Sequence, residues 1–174
     1  MEKSGKQIAI NYGVIYGVIS VLFAVIQYAT GTFKLGGEQN ITMNIIGLLI
    51  AIAVPVMALL AIRQSQGGYL TFKEGFRGAF MVTIIGTLFS AAWIAIYTLV
   101  LEPGYQEVML EKVYEQMQAQ GQGEEALEMG MDWTKKTTGP LGMILTTLFS
   151  GVILGAVIAL ILSAILKKDG GETA

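Results

Sequence analysis

The chain has 174 residues, of which 53% are hydrophobic and 14% charged. A soluble domain carries about a quarter of its residues as Asp, Glu, Lys and Arg, so this composition speaks against a water-soluble globule. The net charge is −2, and neither cysteine nor histidine is present. That excludes disulfides, thiol nucleophiles and imidazole chemistry, and nothing suggests a nucleic-acid partner.

Four stretches contain no Asp, Glu, Lys or Arg: residues 8–30, 41–62, 78–101 and 141–166. About 20 residues at 1.5 Å each cross the ~30 Å hydrocarbon of a bilayer. Backbone groups in lipid must be satisfied within the segment, so each stretch is expected to be a helix. The expected fold is all-α: one integral membrane domain, a four-helix bundle. An amphipathic helical outer loop, residues 102–139, joins spans three and four.

Span one follows Lys3 and Lys6 and is too long for the apolar region of a cleaved signal peptide. It carries Gly13-x-x-x-Gly17, and span four carries Gly151-x-x-x-Gly155. Small residues four apart let helices approach closely. The preferred expectation is that spans one and four pack on each other, with homodimerisation as the alternative. The Gly-rich loop at 31–40 makes spans one and two an antiparallel hairpin. Pro55 lacks a backbone donor and is expected to kink span two, as a structural feature rather than a hinge.

In the second loop, residues 63–77, Gly67-Gly68 marks a turn. Tyr69, Phe72 and Phe76 then recur at helical spacing, as in an amphipathic lead-in to span three; docking of a cytoplasmic partner is the sharper alternative. Trp93 and Tyr97 approach the outer end of span three as an aromatic belt.

In the third loop, Pro103-Gly104 stops span three, and residues 105–118 follow a 3.6-residue period. Tyr105, Met109, Leu110, Val113, Tyr114 and Met117 fall on one half, and Glu107, Glu111, Glu115 and Gln118 on the other. A second helix is expected from 124 to about 136, weakened at Gly130. Membrane-surface helices usually carry basic polar faces, whereas this one is acidic. Its apolar face, above all Tyr105, Met109, Val113 and Met117, is therefore a candidate contact for protein: its own spans, a second copy or another subunit. Plain packing over the outer helix ends is the simpler expectation. The Glu107, Glu111 and Glu115 stripe could hold a hard cation but lacks ligand-loop spacing and reads as a solvated face. Thr138 and Pro140 suit the cap and first turn of span four.

Polar residues inside the spans are Asn11, Ser20, Gln27, Asn44, Ser90, Thr146, Thr147, Ser150 and Ser163. Gln27, Asn44, Ser90, Thr146, Thr147 and Ser150 could line a small outward-open pocket. Ordinary interhelical hydrogen bonding is the preferred expectation.

With both termini inside, Lys3, Lys6, Arg63, Lys73, Arg77, Lys167 and Lys168 lie inside. Lys34, Lys112, Lys135 and Lys136 lie outside, with most of the acids. The bias of Lys and Arg toward cytoplasmic loops favours this orientation. Ion-coupled transporters usually keep an ionisable residue within the membrane, and here there is none. The paired acids or metal ligands of intramembrane proteases are missing too. No catalytic, cofactor or metal site is expected.

Three places carry a likeness: NYGVIYGVI at 11–19; GGYLTFKEGFRGAF at 67–80, leading to WIAIYTLVLEPGY at 93–105; and the Met/Glu/Gln-rich stretch before Gly139-Pro140, with Lys167-Lys168 at the end of span four. In these the chain resembles the domain-of-unknown-function 4199 family of small bacterial four-span membrane proteins. The resemblance implies the same architecture and an envelope location, and brings no activity or catalytic residue. The expectation is a non-enzymatic structural or interaction protein of the bacterial inner membrane, in contact with lipid and, through its outer loop, with a protein partner or a second copy. A facilitative transporter or channel component is the alternative.

Overall fold

The computed structural model describes residues 4–32 and 40–168. Lys3, Lys34 and most of the first predicted loop lie outside them. The element order is α1 (Gly5–Ala29), α2 (Ile41–Ser65), α3 (Phe72–Ile96), a π-helical turn (Tyr97–Leu101), α4 (Tyr105–Ala119), α5 (Glu124–Thr138) and α6 (Pro140–Leu166). Among the described residues the fold is all-α. α1, α2, α3 with its π turn, and α6 are each long and apolar enough to cross a membrane. α4 and α5 form the predicted helical loop between the last two.

Local chemistry sets the helix starts. Ser4 Oγ accepts the Gln7 N–H at 3.4 Å. Asn40 Oδ1 accepts from Thr42 N–H at 3.1 Å and Met43 N–H at 3.4 Å. Thr71 and Glu74 form a reciprocal capping box: Thr71 Oγ1 accepts the Glu74 N–H at 3.3 Å, and Glu74 Oε2 accepts the Thr71 N–H at 3.1 Å. A capping box starts a helix where it stands. Phe72 and Phe76 of the predicted lead-in are therefore continuous with span three, which begins at Phe72, whereas Tyr69 lies before the helix. The expected cap at Thr138 is not made. α5 runs through Thr138, whose hydroxyl donates back to Thr134 O at 2.7 Å. Gly139 takes the cap position before Pro140.

α1, α2 and α6 all pack on α3, and α1 also packs on α2. The described ends of α1 and α6 lie together with the α2–α3 connection at one end of the bundle, the terminal end. There Leu70 pairs with Lys168 through two backbone hydrogen bonds, of 3.0 and 2.9 Å. Leu70 is fully buried and ties the α2–α3 connection to the close of α6. α4 and α5 stand at the opposite, hairpin end. The core sits in the terminal half, where Ala58, Leu59, Ala79, Val82 and Ala159 are completely buried. α2 passes through Pro55, itself fully buried at the edge of this core.

Candidate functional site

The glycine pairs are packing sites, but not for each other. A Cβ on Gly13 would come within 2.8 Å of Ile85, and one on Gly17 would strike the Phe89 ring. On the other flank, Gly151 receives Thr87 and Gly155 receives Thr83. All four neighbours belong to α3. Ile85 and Thr87 are two residues apart, nearly opposite on a 3.6-residue turn, so α3 stands between α1 and α6. The expected packing of spans one and four is thus replaced by two separate seams on a central helix. α3 contributes its own glycines in return: Gly86 lies under the Tyr16 ring, Gly78 against Leu59 and Ile62, and Gly75 against Ser163.

The six residues of the predicted polar pocket are not brought together. Asn44 and Ser150 are exposed, as is Thr146; Gln27, Ser90 and Thr147 are half-buried. Several hydroxyls bond to their own helix. Ser90 donates to Gly86 O at 3.2 Å and Ser150 to Thr146 O at 2.7 Å. Thr87 donates to Thr83 O at 2.9 Å, and Ser163 to Ala159 O. The carbonyl one turn back is the nearest acceptor in apolar surroundings, so for these residues the expected interhelical bonds do not form. Thr146 and Thr147 do line an open cleft of about 850 Å³ beneath the hairpin, with Tyr105, Trp133 and Phe149.

Trp93 and Tyr97 do not form a headgroup belt. Both are buried, at 8% and 5% exposure, because they turn into the bundle. The Tyr97 ring meets Tyr28 edge-on at 5.8 Å and Tyr105 at 6.0 Å. Three rings thus join α1, the π turn and the first residue of α4. Burial, and next the proximity of Tyr97, push the Tyr105 phenol up to about 12.

α4 and α5 close on each other. Gln106 Nε2 donates to Lys135 O at 2.8 Å, and the Met117 thioether fills the space left by the missing side chain of Gly130. The glycine expected to weaken α5 is therefore its contact point with α4. Gly121, at φ +67°, makes the turn between them. Tyr105 is buried and Met109, Val113 and Met117 are half-buried, while Glu107, Glu111 and Glu115 are exposed. The large apolar side chains left exposed on the hairpin are Val108, Tyr114, Met129 and Trp133. Met129 and Trp133, one turn apart on α5, are 69% and 70% exposed.

Sequence reasoning missed a cleft at the terminal end, lined by Lys6 of α1, Gln66 after α2, and Glu74 and Arg77 of α3. The Thr71-x-x-Glu74 capping signature was readable. The convergence of three helix ends around it was not, because it depends on how the ends meet.

No curated protein and no solved structure matches the chain. The family model described as Protein of unknown function (DUF4199) matches residues 11–168, from the first turns of α1 to the end of α6. With four apolar helices in the matched region, the chain belongs to the DUF4199 family.

Proposed function

We propose that this is a non-enzymatic structural or interaction protein of the bacterial inner membrane. Both termini lie in the cytoplasm, and the α4–α5 hairpin is displayed on the outer side for a protein partner. The observation that carries the reading is the hairpin itself. It closes its own inner face through Gln106, Met117 and Gly130, yet leaves Met129 and Trp133 of α5 exposed at 69% and 70%, while α4 carries a solvated acidic stripe. Aromatic and Met side chains are enriched at protein interfaces, and an acidic stripe of this kind favours a basic partner surface. The contact surface therefore moves from the α4 stripe to the exposed side of α5.

A photo-crosslinking residue at position 129 of the full chain tests this in intact membranes. One discrete protein adduct is expected, lost in a Trp133→Ala variant. Adducts to lipid alone would overturn the reading. The location of position 129 also tests the orientation, since a membrane-impermeant label should reach a cysteine placed there only from the outer side.

A facilitative path is less well supported. Fully buried Leu59, Leu70 and Val82 close the terminal half, and the polar residues do not converge. Reconstituted vesicles should show no flux that responds to Asn44→Leu or Ser150→Leu.

A further inference from the structure

At the terminal end, α1, α2 and α3 enclose a cleft of about 340 Å³, within the ~300–1,000 Å³ usual for small-ligand sites. Ala9 and Met81 give it an apolar floor, and Lys6, Gln66, Glu74 and Arg77 supply its polar lining. Lys6 and Arg77 form no ion pair among the described residues, although both border an apolar cavity. Glu74 is held in place: its Oε2 accepts from Thr71, and its Oε1 accepts the Gln66 Nε2–H at 3.1 Å. That bond fixes the amide orientation, because only the nitrogen can donate to a carboxylate. Gln66 Oε1 is then buried without a donor, which is unfavourable for a polar atom in apolar surroundings.

We propose that this cleft binds the headgroup of an ethanolamine glycerophospholipid, with the phosphate between Lys6 and Arg77 and the ammonium toward Glu74 and Gln66 Oε1. The apolar floor takes the glycerol and the start of an acyl chain. The charge order of the cleft, two cations beside a carboxylate and an unpaired acceptor, matches that of the headgroup. A choline headgroup has no N–H to give Gln66. A glycerol headgroup lacks the cation for Glu74. Free phosphate has nothing for the floor. The cleft lies at the end of four apolar helices, where a bilayer presents its headgroups.

The test uses the full chain in mild detergent and native mass spectrometry. Short-chain ethanolamine, choline and glycerol phospholipids are titrated separately, and inorganic phosphate is added as a competitor. The ethanolamine lipid is expected to bind about fivefold more tightly than the choline lipid, the worth of one hydrogen bond. Lys6→Gln with Arg77→Gln should weaken it about tenfold, as loss of charge-assisted bonds does. Gln66→Leu should abolish the preference for ethanolamine over choline. Lys73→Gln, at an exposed position outside the cleft, should change nothing. Circular dichroism checks that each variant is folded. Equal binding of ethanolamine and choline lipids by the unaltered chain would overturn the proposal. So would an effect of Lys73→Gln as large as that of the cleft pair, which would mean general surface attraction. Displacement of bound lipid by inorganic phosphate would make the site one for a free anion instead.

Discussion

Toward the termini the spans close on Leu59, Val82, Ala159 and Ser163, all fully buried, whereas toward the hairpin no residue of α2 from 41 to 53 or of α6 from 140 to 154 is buried. The cause lies in side-chain size. α1 carries Gly5, Ala9, Gly13 and Gly17 four residues apart, and α6 carries Gly151, Gly155, Ala159 and Ser163. Gly13, Gly17, Gly151, Gly155 and Ser163 face α3, and Gly5 faces Ile62 of α2. Beyond Gly17 the same spacing on α1 meets Val21 and Val25. Lipid tails are as apolar as Leu, so helix association in a bilayer depends on close packing rather than on hiding apolar surface. Small residues permit that packing and large ones prevent it, so one bundle is tight at one end and splayed at the other.

The contrast is open to a direct challenge. Leu59→Ala, in the tight half, should lower stability by about 3 kcal/mol, in the range for a buried Leu truncated to leave a cavity. Leu49→Ala, on a side chain 61% exposed in the splayed half, should cost less than about 0.5 kcal/mol, as surface changes do. Reversible unfolding in mixed detergent micelles measures both. Equal losses would show that the two halves are packed alike. Next in size is overpacking. Gly155→Leu would drive a side chain into Thr83, and should cost about 2 kcal/mol. Gly47→Ala places its Cβ at an ordinary 3.6 Å from Phe23 and should be near neutral in the same assay.

The same contrast explains what could be read from the sequence. The four spans, the two loop helices and their breaks at Pro103-Gly104 and Gly121 follow from period and composition, which are local. The partners of Gly13, Gly17, Gly151 and Gly155 do not. A small-residue motif says that a helix can approach another, and only the order of helices around α3 decides which one. Nor does the presence of Gln27, Asn44, Thr146 and Ser150 within the spans fix the directions in which they face. Leu70 gave no signal at all. Its burial depends on the backbone pairing with Lys168, which lies 98 residues away (168 − 70).

The hairpin end, lacking close packing, relies on rings. Tyr28, Tyr97 and Tyr105 bridge α1, the π turn and α4, and Tyr105 is the ring of that bridge that stands outside the spans. Its phenol pKa rises from 10.0 in the free side chain to about 12 in the fold. Below pH 10 the phenol is neutral in both folded and unfolded chains, and the stabilisation is complete. As pH climbs from 10 toward 12 the unfolded chain releases this proton while the folded chain holds it, so the stabilisation drains away. The tyrosine signal in near-ultraviolet circular dichroism should therefore fade over that interval. Tyr105→Phe keeps a ring in the bridge but has no proton to lose, so its signal should fade less. Parallel curves would mean that the hairpin root is held by something other than this ring.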